Sequence, residues 1–432
     1  MRIRYLTLLL VLMVGLCFGD LAYAQIKTIT KTIRQPFGGV QSPEDARITA
    51  LTRAKRSALE QAGTYIESLT EVRDGMLESD DIMAIAAGVL STEILKEKKY
   101  VEGDSFGIEV TALVRVDQSV LEQRVKAFLE DRRALENYRE LEKRQVELLK
   151  RIKRLEADNE NLKNGSNEQR QGLKEEYTQV TEGLVASDWL SKGWSARDSN
   201  QELEYYNKAI ATDPEYALAY YSRAFYYQIN DQFHKSLRDI NRVIELEPEN
   251  AEAYRFRGDV YKLMDQPQNA IRDYDKSIEL NPDYYRAYSD RGTVYLNNGQ
   301  FEIAIQDYTK AIALDPEYES AYYYRGESYS AMGRNRKALA DYNKAIALDS
   351  EDGFAYYGRG NVYFEMDEHR KAVEDYNKVI AFGLADGWVY NNRGISYFSL
   401  GDYDNACRDA EKGAELGVGT ALKLLREEGE CR

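Results

Sequence analysis

Few side chains of this chain are spaced for chemistry. Its two histidines, His234 and His369, stand more than a hundred residues apart, and neither falls in a metal-ligand spacing. No glycine loop is built to cradle a phosphate: Gly358-Arg359-Gly360 falls at a helix crossing and Gly417-Val418-Gly419 in the terminal segment. No serine or cysteine lies beside a base motif. Carboxylates are abundant, but in so charged a chain surface acids are ordinarily solvated, and no pair is singled out for acid–base work. The reading is a non-enzyme with no catalytic residue, no metal site and no cofactor.

The residues that do recur are structural, and they recur every 34 residues. Glycine stands at Gly258, Gly292, Gly326, Gly360 and Gly394, with Ala224 one step earlier. Proline stands at Pro214, Pro248, Pro282 and Pro316, and a small residue at Ser236, Ala270, Ala304, Ala338, Ala372 and Ala406. Such a period predicts stacked helical hairpins. The glycine and the small residue belong where two helices cross, because only small side chains let backbones approach. Tyr261, Tyr295, Tyr329, Tyr363 and Tyr397 on the first helix, and Tyr274, Tyr308, Tyr342 and Tyr376 on the second, are expected to wedge between hairpins. Gly299, Gly333 and Gly401, with Asp231, Asp265 and Asp367 in the same slot, predict left-handed caps on the first helices.

These residues resemble tetratricopeptide repeats, with five good copies, a sixth ending in a divergent C-terminal cap, and a degenerate copy around 183–216. In that degenerate copy Glu202 replaces the small crossing residue, and the spacing around Gly193 is about three residues short. The family's hydrophobic residue before the glycine is replaced by Arg223, Arg257, Arg291, Arg325, Arg359 and Arg393, read as a solvated or ion-paired stripe. The resemblance implies a superhelix whose first helices line a concave groove. Its groove slots hold Arg286, Ser289, Thr293 and Leu296, then Ser320, Tyr323, Glu327 and Ser330, in the third and fourth repeats. The fifth and sixth contribute Phe354, Tyr357, Asn361 and Phe364, then Trp388, Asn391, Ile395 and Phe398. This aromatic patch with asparagines is the expected partner-binding groove; the competing reading packs Trp388 and Phe398 under the C-terminal cap. The family's lysine–asparagine clamp for C-terminal carboxylates is missing, which disfavours tail binding.

Residues 25–118 have another texture. Ile29 and Ile33 alternate with polar residues in a strand, and Ser42-Pro43-Glu44-Asp45 starts a helix. Ala46, Ala50, Ala54, Ala58, Ala62 and Ile66 make a small-residue ridge suited to a sheet. Phe106, Ile108, Val110, Ala112, Val114 and Val116 alternate in a strand that Gly103-Asp104 turns back on one from about Leu90 to Val101. With a short helix near Asp81–Ala87, this order is similar to the N-terminal domain of flagellar assembly protein T and related envelope proteins. The matching stretches are Ala54 to Gly63, Val72 to Gly88 and Phe106 to Val116, and the resemblance implies a binding or assembly module outside the cytoplasm.

Leu141, Leu148, Leu155 and Leu162 fall seven apart, with Tyr138, Gln145, Ile152 and Asn159 at the other seam position, which predicts a self-associating coiled coil in which Arg151 faces Glu156 of a second copy and Asp158 faces Lys163. The bland alternative is one solvated helix. Arg2 and Arg4, the apolar run Leu8 to Phe18, and Ala22-Tyr23-Ala24 read as a secretory signal peptide cleaved before Gln25. Leu16 before Cys17 is wrong for lipidation, and no other stretch reaches transmembrane length. Cleavage removes two arginines and one aspartate, taking the net charge from −15 to −16, and so acidic a surface repels nucleic acid. Cys407 and Cys431 would then remain, either as one disulfide stapling the cap or as two unpaired thiols.

The expected architecture is mainly α: signal peptide 1–24, small α+β domain 25–118, coiled-coil helix 119–163, linker 164–182, and an α-solenoid of helical hairpins with a C-terminal cap over 183–432. The expected function is a non-enzymatic periplasmic or secreted scaffold or adaptor. It binds a protein or peptide of the cell envelope in its groove and self-associates as a dimer or trimer. The alternative is a structural component of a larger envelope assembly of flagellar, secretory or Tol–Pal-like kind.

Overall fold

The structure, a computed structural model, describes residues 26–70, 92–102, 105–117, 132–161, 166–196 and 198–431, together with Ala86 and Leu90. The expected leader, the Gly103-Asp104 turn and, Ala86 apart, the short helix near Asp81–Ala87 lie outside the described residues. Three strands and seventeen helices are found among the described residues. The chain divides into two compact units, Met1–Tyr226 and Tyr227–Arg432.

In the first unit β1 (Ile26–Phe37), β2 (Thr92–Glu102) and β3 (Ser105–Asp117) form an antiparallel sheet of order β1-β3-β2. The register sets Ile33 opposite Val110, and a bulge interrupts β2 between Ile94 and Lys96. Helix α1 (Pro43–Thr70) begins at a reciprocal cap: the Asp45 amide donates to Ser42 Oγ at 3.1 Å, and the Ser42 amide donates to Asp45 Oδ2 at 3.0 Å. Its alanines, from Ala46 to Ala62, are wholly buried, and Ala50 and Ala54 pack on Ile108, Val110 and Ala112. Methyl-sized side chains let the helix sit close to the sheet, so the alternating strand finds its cover.

Two expectations change next. The heptad segment is helix α2 (Arg132–Asn161) over its described part, and residues from Asn167 onward are not a linker. They form α3 (Asn167–Trp194), started by a capping box of Ser166 and Gln169. Ile152 and Leu155 of α2 are buried against Leu173, Tyr177, Val180 and Leu184 of α3, with Leu148 at the edge. The seam is thus filled within one chain, because a heptad stripe needs an apolar partner and α3 supplies it in cis. The flanking charges agree: Arg151 pairs with Glu176 at 2.7 Å, and Glu156 takes Arg53 of α1 at 3.1 Å. Asn159 binds the β1–α1 turn, donating to Gly38 O at 3.1 Å and accepting from the Val40 amide at 3.2 Å. Lys55 reaches Asp188 and Arg56 reaches Glu142, so α2 and α3 brace the α+β layer. The compact unit therefore runs past the expected borders at 118 and 182.

Helix α4 (Ser199–Thr212) closes the degenerate repeat against α3. Gly193 is its crossing glycine, since a Cβ there would come within 2.4 Å of the Tyr206 ring. Glu202, the misfit residue, accepts a hydrogen bond from Tyr206 Oη at 2.8 Å. The border between the units then falls within α5 (Ala217–Ile229).

The second unit holds α6 (Phe233–Leu246) and five hairpins: α7 and α8 (Ala251–Leu263, Pro267–Leu280), α9 and α10 (Tyr285–Asn297, Phe301–Leu314), α11 and α12 (Glu319–Ala331, Asn335–Leu348), α13 and α14 (Gly353–Glu365, His369–Ala381), and α15 and α16 (Gly387–Ser399, Tyr403–Glu415). The cap helix α17 (Thr420–Glu427) ends it. All six expected cap residues, from Asp231 to Gly401, have φ between 55° and 78°. The crossing glycine makes room for a ring: a Cβ on Gly258 would lie 2.7 Å from the buried Tyr274 side chain, and Gly292, Gly326 and Gly360 meet Tyr308, Tyr342 and Tyr376 in the same way.

The arginine stripe is ion-paired. Arg257, Arg291, Arg325, Arg359 and Arg393 each grip a buried aspartate of their own hairpin, Asp273, Asp307, Asp341, Asp375 and Asp409, through Nε and Nη2 at 2.6–2.9 Å. Nη1 of each reaches back to the preceding second helix, at Asn241, Asp275, Thr309, Asn343 and Asn377. One planar fork thereby ties three helices together.

Candidate functional site: the helix starts of the last three repeats

Each first helix begins where a turn from the preceding repeat delivers it, so residues near its N-terminus line up from repeat to repeat. In α13 the N-cap is Asp352, which accepts from the Phe354 amide at 2.9 Å and the Ala355 amide at 3.2 Å. In α15 it is Asp386, which accepts from the Trp388 and Val389 amides at 2.9 and 3.0 Å. These caps fix the backbone beside two large side chains that point outward. Phe354 is 59% exposed and Trp388 52%. They occupy the same slot one repeat apart.

The other expected groove residues divide differently. Tyr357 is half-buried, its ring 6.5 Å from that of Tyr376, and Phe364 stacks edge-on to His369 at 5.8 Å. Asn361 accepts hydrogen bonds from Tyr376 Oη at 2.8 Å and Asn392 Nδ2 at 3.3 Å. Asn391 is buried and caps α17, accepting from Thr420 Oγ1 at 2.6 Å and the Ala421 amide at 2.8 Å. Phe398 packs against the cluster of Ala406, Ala410, Ala421 and Leu425 under that cap. Ile395 packs on the same cluster, so of the eight residues Phe354 and Trp388 offer open apolar surface and the rest hold repeats together. Cys407 and Cys431 form a disulfide with Cα atoms 5.6 Å apart.

Leu384 escaped the sequence reading. It stands where earlier repeats carry the turn proline, and the broken proline column was its only signal. It is 46% exposed and lies over the start of α13, where a Cβ on Gly353 would come within 2.4 Å of its Cδ1. Glu319, the first residue of α11, is the second omission. Burial and the neighbouring Asp352 carboxyl push its pKa up to about 7. Its Oε1 is buried and accepts no hydrogen bond, while Oε2 accepts one from Ser320 Oγ at 3.2 Å. Glu327 is also raised, by burial alone.

A different polar site lies two repeats earlier. Arg255 is buried, donates to Glu252, Asp259 and Asp290, and also meets Tyr284 Oη at 2.9 Å. Asp259 further accepts from Tyr274 Oη at 2.7 Å and pairs with Lys262 at 3.1 Å. Here each acid has a cationic partner. Among the described residues no three His, Cys, Asp or Glu side chains are grouped to hold a metal ion, and no helix is long and apolar enough to cross a membrane.

Family models for the TPR repeat match residues 292–333 and 328–367, and models for the tetratricopeptide repeat match 205–238, 251–284, 273–306, 354–382 and 389–416. This chain is a tetratricopeptide-repeat protein. None of these stretches lies in residues 25–118, where the likeness to flagellar assembly protein T rests on sequence pattern alone. No curated protein matches. Solved structures similar to it include the crystal structure of MamA, 26% identical over 37% of this chain and 94% of that one, with a TM-score of 0.34. A tetratricopeptide repeat protein from Parabacteroides merdae is 19% identical over 58% and 98%, TM-score 0.43. YrrB, described as a TPR protein with an unusual peptide-binding site, is 24% identical over 41% and 89%, TM-score 0.34.

Proposed function

We propose that this protein is a non-enzymatic scaffold of the cell envelope, exported by its N-terminal leader, that captures a protein or peptide on the first helices of its last repeats. The observation that carries the reading is the pair Phe354 and Trp388. Repeat packing requires the glycine, the small residue, the ring and the arginine fork, and none of these requires a large apolar side chain facing water at that slot. Exposed apolar groups in register on neighbouring helices suit a partner that covers them. Multiplication of sites by a coiled coil is not part of the proposal, because Leu155 and, at the edge, Leu148 already pack on α3.

The test is capture. Immobilised full-length mature protein and the F354A/W388A variant are compared for a partner recovered from envelope extract and then purified. The variant is expected to lose most of the affinity with its thermal unfolding nearly unchanged, since interface aromatics cost upwards of about 2 kcal/mol each when truncated. Undiminished binding by the variant would place the partner elsewhere on the molecule.

A further inference from the structure

We propose that the docked partner is an extended basic segment, one that sets lysine or arginine side chains beside an aromatic or branched aliphatic residue. This rests on the reading above and adds the chemistry of the partner. Three stretches of the chain, 311–324, 345–358 and 379–392, carry the turns and helix starts of the last three repeats. None contains a lysine or arginine. Together they hold Asp315, Glu317, Glu319, Asp349, Glu351, Asp352 and Asp386, and none of these seven makes an ion pair among the described residues. The corresponding stretches of the two preceding repeats hold Arg255 and Arg286. Residues 209–222 of the first repeat lack lysine and arginine too, so what sets 345–358 and 379–392 apart is that the absence of cations coincides there with the exposed Phe354, Leu384 and Trp388.

The two properties coincide in space. Leu384 covers the start of α13, Phe354 follows one residue after Gly353, and Trp388 opens the next helix; the N-caps between them are the carboxylates Asp352 and Asp386. A neutral apolar partner would cover surface beside these acids and leave them only their cap amides, with no counter-charge to offset the added desolvation. An acidic partner would add like charge. A basic partner supplies counter-ions to carboxylates that have none, and its apolar residue covers Phe354, Leu384 and Trp388. Glu319 lies against the Asp352 carboxyl, so a cation placed beside this pair would relieve the repulsion between two neighbouring acids.

The experiment uses full-length mature protein and three end-blocked synthetic twelve-residue peptides, read by fluorescence anisotropy: one alternating lysine with phenylalanine and leucine, one with every lysine changed to glutamate, and one with every apolar residue changed to serine. The first is expected to bind. The other two should bind at least about tenfold more weakly, and raising salt from about 0.05 M to about 0.5 M should weaken the first by a comparable factor. The F354A/W388A variant should lose about tenfold or more for the first peptide. E319Q/E351Q should lose several-fold and show a shallower salt dependence. Equal binding of the glutamate peptide, or wild-type binding by E319Q/E351Q, overturns the basic partner while leaving apolar capture standing. Wild-type binding of the first peptide by F354A/W388A overturns the location as well.

Discussion

At the residue scale, the structure converts a column of arginines into a statement about energy. Asp341 is buried, and Arg325 meets both its oxygens, at 2.7 and 2.8 Å. Removing one partner of such a pair leaves an uncompensated charge, a loss of about 3–5 kcal/mol. Arg325→Ala is therefore expected to lower the thermal midpoint strongly. Arg325→Lys should fall between, since an ammonium keeps the charge and loses the fork. Differential scanning calorimetry checks both. Glu319 behaves in the opposite sense. Burial and the Asp352 carboxyl push its pKa up to about 7, above the usual glutamate range, so it supports the fold when protonated, and that support is lost as pH rises through about 7. Glu319→Gln should raise stability by about 1 kcal/mol at about pH 8, with half-exposure to solvent allowed for, and change little at about pH 4. An identical gain at both pH values would mean that its ionisation is not what destabilises.

At the element scale, what was legible in the sequence tracks how local the physics is. Left-handed turns, crossing glycines and the Ser42 cap are set by residues within a few positions; the 34-residue column fixed the first two in advance, and Ser42-Pro43-Glu44-Asp45 the third. The Leu141–Leu148–Leu155 heptad was legible as an apolar stripe. Which helix would cover it was not, because a stripe carries no label for its partner and α3 begins beyond a break in the pattern. The groove was half legible for a related reason: slot position identifies which residues project, but Asn391 and Phe398 are claimed by α17, whose docking depends on contacts distant in sequence. Leu155→Asp now has a different expected outcome from that of an intermolecular seam. It should unfold the α2–α3 pair, with rapid amide exchange in α2 and α3 and loosening of α1, rather than release a folded monomer; light scattering alongside hydrogen exchange separates the two.

At the scale of the whole molecule, a repeat stack is only as sound as its ends, because a terminal hairpin lacks the neighbour that would cover it. Here the end is covered by α17, whose Ala421 and Leu425 lie on Ala406 and Ala410, and it is stapled by Cys407–Cys431 across 24 residues of chain. Closing a loop of that length removes unfolded-state entropy equivalent to about 3 kcal/mol in the chain-entropy account. That amount acts where stacking energy is smallest. A thiol reductant, or Cys431→Ser, should therefore raise amide exchange in α15, α16 and α17 and leave the hairpins from α7 to α12 nearly unaffected. Trp388 sits on α15, and Asn391 of the same helix caps α17, so loss of the staple should also weaken the basic apolar peptide without any change to its contact residues. Exchange that rises evenly along the repeats, or peptide binding indifferent to reduction, would mean that packing alone secures the end of the stack.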